Sequence, residues 1–296
     1  MSECASLDDS RRRAGRWLIV AAALLWSSGG FFAKAPWFAD WPGPVLAFWR
    51  AWWASLVLIP FIREARWNWK LVPMAAMFAG MNWSYLTAMV TGEAANAIWL
   101  QMTSPLWVFL VSAFGMRETV RQRDWLLLLC GISGVGLILA CEVQGERLAA
   151  VGYGLLSGVF YAGVVLWLRR LRDYDATWLV AVNHLATVAV FFPVVMGQQR
   201  GWPEGRQWLF LAGFGMLQMG LPYVLFARGL KSIPSHEASG IGLLEPVLLP
   251  IWVWLAWGNS PHYVAPRWWT LVGGALILVG LVWRYRSPIR VKRASS

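Results

Sequence analysis

Two sets of residues have the spacing to act together. Asn96, Trp99, Thr103 and Trp107 follow one another at intervals of three, four and four residues, and Phe78, Asn82, Tyr85 and Met89 at four, three and four. At about 3.6 residues per turn, each set is a stripe along one helix face. Amide and hydroxyl groups supply donors and acceptors, and the rings supply apolar surface, so the chemistry is that of binding a small polar-headed molecule. Gln218 and Tyr223 flank Pro222, Glu245 adjoins Pro246, and Tyr161 follows the close-packing spacing Gly154/Gly158. For such a molecule, Asn82, Asn96, Gln218 and Glu245 would meet the head. Tyr85, Trp99, Tyr161 and Tyr223 would meet the side chain.

Bond-making chemistry has no comparable support. No catalytic constellation is found, and no G-x-x-x-x-G-K-[ST] phosphate loop is present. His184, His236 and His262 lack metal-ligand spacing. Cys4, Cys130 and Cys141 are too few and too scattered for a disulfide framework. Neither metal nor cofactor is expected.

These polar groups sit in an apolar chain. Of 296 residues, 58% are hydrophobic and 14% charged, against about 25% charged in a soluble domain. The net charge of +11 comes from short clusters between apolar runs, a pattern that excludes nucleic acid as partner and fits the loops of a membrane protein. Ten apolar segments approach the length needed to span a bilayer, near residues 17–35, 44–62, 71–90, 94–115, 124–141, 149–168, 177–196, 207–228, 236–257 and 266–284. The first lacks a cleavage site and reads as a retained span. With the N-terminus cytoplasmic, 20 Lys and Arg residues fall on the cytoplasmic side and 5 opposite, with Arg50 inside a span. That asymmetry predicts both termini inside. Many of the 23 Trp residues lie near span ends, as an interfacial belt would place them.

Within hydrocarbon, polar side chains must turn inward. Arg50 must therefore be paired or reach an aqueous cleft, whereas Glu93 and Glu237, near span ends, read as solvated. Proline adds a second constraint. Pro105 leaves the Gln101 carbonyl without its helical donor, Pro246 does so to Gly242, and Pro250 to Pro246. Gly240 and Gly242 loosen the last of these helices further.

The two breaks are related. Ser104-Pro105-Leu106-Trp107 corresponds to Glu245-Pro246-Val247-Leu248 at an offset of 141, and Asp124-Trp125 with Gly131 and Gly136 resembles Arg267-Trp268 with Gly274 and Gly280. The same comparison sets Arg50 opposite Asn183. Each half then holds five spans, and an odd number inverts the second half. The fold expected is an all-α membrane protein of ten transmembrane helices in two inverted five-helix repeats. Its segments are a cytoplasmic tail (1–16), repeats at 17–142 and 149–284, and a basic cytoplasmic tail (285–296). Matched helix breaks in such repeats point to a transport site at the midplane.

The LLWSSGGFFAK opening, the short loops and the paired Pro-containing helices resemble the drug/metabolite transporter superfamily, in its EamA-type branch. Within that branch the chain is similar to bacterial exporters of aromatic amino acids. The resemblance implies alternating-access export of amino acids or small hydrophobic metabolites across the inner membrane, without enzymatic activity. It implies a small-molecule substrate and membrane lipid as partners, with a monomer sufficient. The family's Gly-Glu at the end of the fourth span is displaced here, as Gly115-Met116-Arg117-Glu118, and Gly258-Asn259 replaces it in the second half. Arg50, His184 and Glu245 could each couple transport to protons; Arg50 and His184 are read as hydrogen-bonded structural groups. The alternatives are a multidrug or nucleotide-derivative carrier on the same scaffold, and a membrane-embedded enzyme.

Overall fold

A computed structural model describes residues 2–111, 122–142, 148–171, 173–198, 202–233, 238 and 241–285. Its helices are α1 (Ser2–Ser27), α2 (Gly29–Ala33), α3 (Gly43–Leu58), α4 (Leu71–Thr91), α5 (Ala94–Gln101), α6 (Ser104–Leu110) and α7 (Gln122–Glu142). The second half supplies α8 (Leu148–Arg170), α9 (Ala176–Gly197), α10 (Arg206–Gly215), α11 (Leu221–Gly229), α12 (Leu244–Trp257) and α13 (Trp268–Tyr285). Taking α1–α2, α5–α6 and α10–α11 as interrupted single crossings, these make ten spans in two five-helix repeats. Among the described residues, five helical stretches are long and apolar enough to cross a membrane: residues 10–33, 43–61, 148–168, 176–197 and 206–229. The stretch read as an N-terminal tail continues α1 back to Ser2. Glu118, His236, Glu237, Gly240 and the basic C-terminal tail lie outside the described residues.

The repeats exchange partners. The first span, α1–α2, packs against α10, α11 and α12 of the second repeat, and α8 packs reciprocally against α4, α5 and α6 of the first. The second helices pair as α3 with α9, and the fifth as α7 with α13. Glycine allows the last crossing. A Cβ on Gly134 would lie 2.5 Å from the Gly273 carbonyl oxygen, and one on Gly273 would lie 2.7 Å from that of Gly134. In lipid, where apolar surface gains nothing by leaving water, such close backbone approach is what dispersion forces can use.

The interruptions match the proline pattern, with one addition. The chain turns at Met102–Thr103 between α5 and α6, and again at Leu243 before α12, 141 residues after Met102. Pro105 occupies the first turn of α6, where its missing N–H costs no helical bond. Pro222 likewise opens α11, directly after a π-helical turn at Met216–Gly220. The first span, expected to be continuous, also breaks at Ser28. There Ser27 and Ser28 donate to the carbonyls of Leu24 and Leu25 (2.7 and 2.6 Å), a local alternative to helical bonding.

Both ends of the bundle are tied across the repeats. At the end carrying Lys34, Gln207 of the second repeat donates to the Trp37 carbonyl of the first (3.2 Å), beside the Lys34 ammonium, which donates within the first repeat to the Gly92 carbonyl (2.7 Å). Glu93, read from its position as solvated, is instead 1% exposed. The Thr270 hydroxyl donates to it (2.9 Å), and Arg267 stands 3.9 Å away. The correction has a simple cause: α13 begins directly over the α4–α5 corner, so the span end is roofed by protein.

At the other end, the extended segment after α3 is held by Asp175, the N-cap of α9. Its carboxylate accepts the backbone N–H groups of Arg63 (2.6 Å), Glu64 (3.2 Å) and Thr177 (2.9 Å), and Trp178 donates to the Arg66 carbonyl (2.8 Å). Partial burial works against the Asp175 charge, but the backbone donors of Arg63, Thr177, Glu64 and Trp178 outweigh it and hold its pKa below the ordinary 3.8. A pKa lowered by folding gives stability that is complete above the ordinary value and lost as pH falls through the folded one. Replacing Asp175 with Ala should therefore cost about 1 kcal/mol near neutral pH. In detergent melts the difference from wild type should narrow as pH drops from about 5 toward about 3; a pH-independent difference would contradict this role.

Candidate functional site

The helices bring a polar group together in the middle of the bundle. Arg50, on α3, is 2% exposed and donates through Nη2 to the Asn82 Oδ1 on α4. Asn82 is fixed in turn by donating to the Phe78 carbonyl (3.1 Å), so its amide is oriented before it meets the guanidinium. Tyr85, one turn on, and Phe214 of α10 present their rings to the Arg50 Cζ at 6.0 and 5.1 Å. Such cation–π contacts spread the charge over apolar neighbours where water is scarce.

The second repeat supplies the facing wall. His184 of α9 is fully buried, edge-on to Phe78 (4.9 Å) and to Tyr223 of α11 (6.4 Å). Tyr223 also meets Trp26 of the first span (5.3 Å). Glu245, at the start of α12, lies close enough for its charge to act on Arg50, Tyr85 and Tyr223. Tyr223 and Glu245 are half-buried. Among the described residues no carboxylate reaches ion-pair distance of Arg50.

Of the residues singled out from sequence, Asn82, Tyr85, Tyr223 and Glu245 gather around Arg50. Tyr161 packs on the same apolar cluster as Tyr223, with Phe78, Met81 and Met219. Gln218 lies one step away, its amide nitrogen donating to the Trp26 carbonyl (3.1 Å) just before the Ser28 break. Pro246 is buried, and Pro250 lies inside α12.

The stripe Asn96, Trp99, Thr103 and Trp107 does not hold together. Trp99 lies over Gly274 of α13, where a Cβ would come within 2.5 Å of the indole, among Leu106, Leu127 and Ile277. Thr103 instead faces α8, where a Cβ on Gly158 would lie 2.6 Å from its hydroxyl and 2.8 Å from the Leu100 carbonyl. That hydroxyl donates to Leu100 (2.6 Å) and accepts from the Trp107 indole (3.1 Å), so it bridges the break. Asn96 is buried on α5. The turn at Met102–Thr103 resets the helical phase, so positions that would align on one continuous helix face different neighbours.

Arg50 and His184 are the members that sequence reasoning left out of the site. Their signal was present: an arginine in mid-span needs a partner, and none was visible on its own helix.

The architecture also settles the family. A family model for EamA-like transporters matches twice, at residues 13–140 and 148–286. The chain belongs to the EamA-like transporter family. It is similar to the pseudopaline exporter CntI of Pseudomonas aeruginosa, at 26% identity over 282 residues, 91% of this chain and 95% of that protein. The riboflavin transporter of Vibrio cholerae is 24% identical over 242 residues, 77% and 78% of the two chains. The biotin transporter of Escherichia coli is 22% identical over 249 residues, 79% and 80%. A solved crystal structure 20% identical in sequence shares the fold with a TM-score of 0.65, over 92% of this chain and 97% of that one. This EamA-type chain is thus a multi-pass membrane transporter.

Arg50 and Asn82 are coupled most tightly. Replacing Asn82 with Leu should cost about 2–3 kcal/mol, because it strands a buried charged donor. Adding Arg50→Met should recover part of that loss by removing the charge as well. Melting curves of the two singles and the double would show it; strictly additive losses would mean the two side chains do not act as a pair.

Proposed function

We propose that this transporter exports amino acids, aromatic and other mostly neutral ones, together with related small metabolites, by alternating access across the inner membrane. The observation that carries the reading is the central cluster. Arg50 and Glu245 come from opposite repeats, and Tyr85, Phe214 and Tyr223 wall the space around them. A guanidinium suits the carboxylate of an amino acid, a carboxylate suits its ammonium, and the rings suit its side chain. The relatives named for pseudopaline, riboflavin and biotin support a small organic cargo.

Alternating access requires that the two ends open in turn around a fixed midpoint. The contacts of Gln207 with Trp37 and of Thr270 with Glu93 at one end, and of Asp175 with Arg63 and Glu64 at the other, are made between repeats, so rocking one repeat on the other would break one set while keeping the other. The Lys and Arg distribution puts Lys34 on the periplasmic side and both termini in the cytoplasm. At the Lys34 end, the Trp257 indole donates to the Phe31 carbonyl (2.7 Å), and Trp37 packs on Phe210 at 4.5 Å.

A carrier for cationic drugs fits less well, since a buried guanidinium repels such cargo. Counterflow in proteoliposomes separates the two readings. Radiolabelled Phe, Trp and Thr should exchange, a cationic dye should not, and Tyr223→Ala should slow Phe exchange by about tenfold or more. Dye movement without amino acid exchange would overturn the proposal.

A further inference from the structure

The central cluster contains buried polar atoms that its own side chains do not satisfy. Arg50 Nε, both ring nitrogens of His184 and the Gln218 Oε1 have no hydrogen-bond partner among the described residues, although all three residues are more than nine-tenths buried. Native interiors rarely leave such groups unpaired unless something else meets them. The unmet groups are not evenly distributed in charge. Arg50 brings a full positive charge, one neutral acceptor in Asn82, two aromatic faces, and, among the described residues, no carboxylate within ion-pair distance.

We infer that this cluster is an organic-anion subsite in which Arg50 binds the carboxylate of the cargo, with Glu245 as the internal charge that competes for it. The carboxylate, and not the ammonium, is then the obligatory feature of the substrate. Tyr85 and Phe214 flank the guanidinium, so the preferred ligand is an aromatic monocarboxylate, with or without an amino group. Glu245 acts on Arg50 from a distance and makes no hydrogen bond to it. Its carboxylate opposes an arriving anion. This inference deepens the proposed function, because it names the group on the substrate that the site reads.

The test is calorimetric binding to the purified full-length protein in detergent. The probes are 3-phenylpropionate, the matching 3-phenylpropionamide, and 2-phenylethylamine. The acid should bind, with amide and amine about tenfold weaker or more, since a desolvated charge pair dominates such contacts. Arg50→Gln should lose the preference for the acid. Glu245→Gln should raise affinity for the acid by about threefold or more by removing the competing charge. Equal binding of acid and amide by wild type would overturn the inference. So would unchanged acid binding in a folded Arg50→Gln protein. If Arg50→Gln does not fold, Glu245→Gln decides: tighter binding of the acid supports the subsite, and unchanged or weaker binding overturns it. Failure of amino acid counterflow with intact acid binding would sink the proposed function and leave this inference standing; the reverse pattern would do the opposite.

Discussion

The constraint on which the bundle turns is a guanidinium held in hydrocarbon. An arginine at the centre of a spanning helix costs about 2.5–3.5 kcal/mol on insertion scales, and more if its surroundings offer nothing to its N–H groups. Arg50 is buried on α3, so α4 must bring an acceptor, and it does so with Asn82. Phe214 and Tyr85 must face the charge from either side, which fixes the approach of α10. Glu245, on α12, is the acid that the second repeat brings to the cluster.

The repeats hold this cluster between them by exchanging partners. Each opening helix packs onto the third and fourth helices of the other half, and the fifth helices cross at Gly134 and Gly273. With no hydrophobic drive between helices in lipid, the crossing relies on close backbone approach and on specific hydrogen bonds. Many of those bonds are carried by indoles: Trp252 donates to Ser27 (2.8 Å), Trp257 to Phe31 and Trp178 to Arg66. A tryptophan keeps a polar atom satisfied while presenting a large apolar face. The Ser28 break, the π-turn before Pro222 and the turns at Met102–Thr103 and Leu243 lie on the helices that contact the opposite repeat.

Much of this was legible in the sequence, for definite reasons. Hydropathy gives spans because no backbone group can stay unpaired in lipid. The offset of 141 places a turn at Leu243 once one is known at Met102, because proline acts through the local backbone. Helical phase, by contrast, says where a side chain points on its own helix and nothing of which helix it meets. Trp99 therefore seemed to share a face with Thr103, whereas the turn between them sends one to Gly274 and the other to Gly158. Glu93 looked solvated because a one-dimensional reading cannot see Thr270 arriving from 177 residues away. Arg50 and His184 were recognised as unusual, but only tertiary packing joins them to Tyr223 and Glu245. Asp175 shows the same limit: its capping of α9 is local, while its hold on Arg63 and Glu64 is not.

The central claim is that the crossing of the repeats encloses a site open to aqueous solutes, rather than a sealed polar core. The most direct measurement is thiol labelling with a small, charged, membrane-impermeant reagent, after Cys4, Cys130 and Cys141 are replaced by Ser. Cysteine introduced at Tyr223 or at Glu245 should react in the folded protein. Cysteine at Ile98, which is fully buried, should react only after unfolding. If the thiols at 223 and 245 were as unreactive as the one at 98, the cluster around Arg50 would be structural and the account would fail.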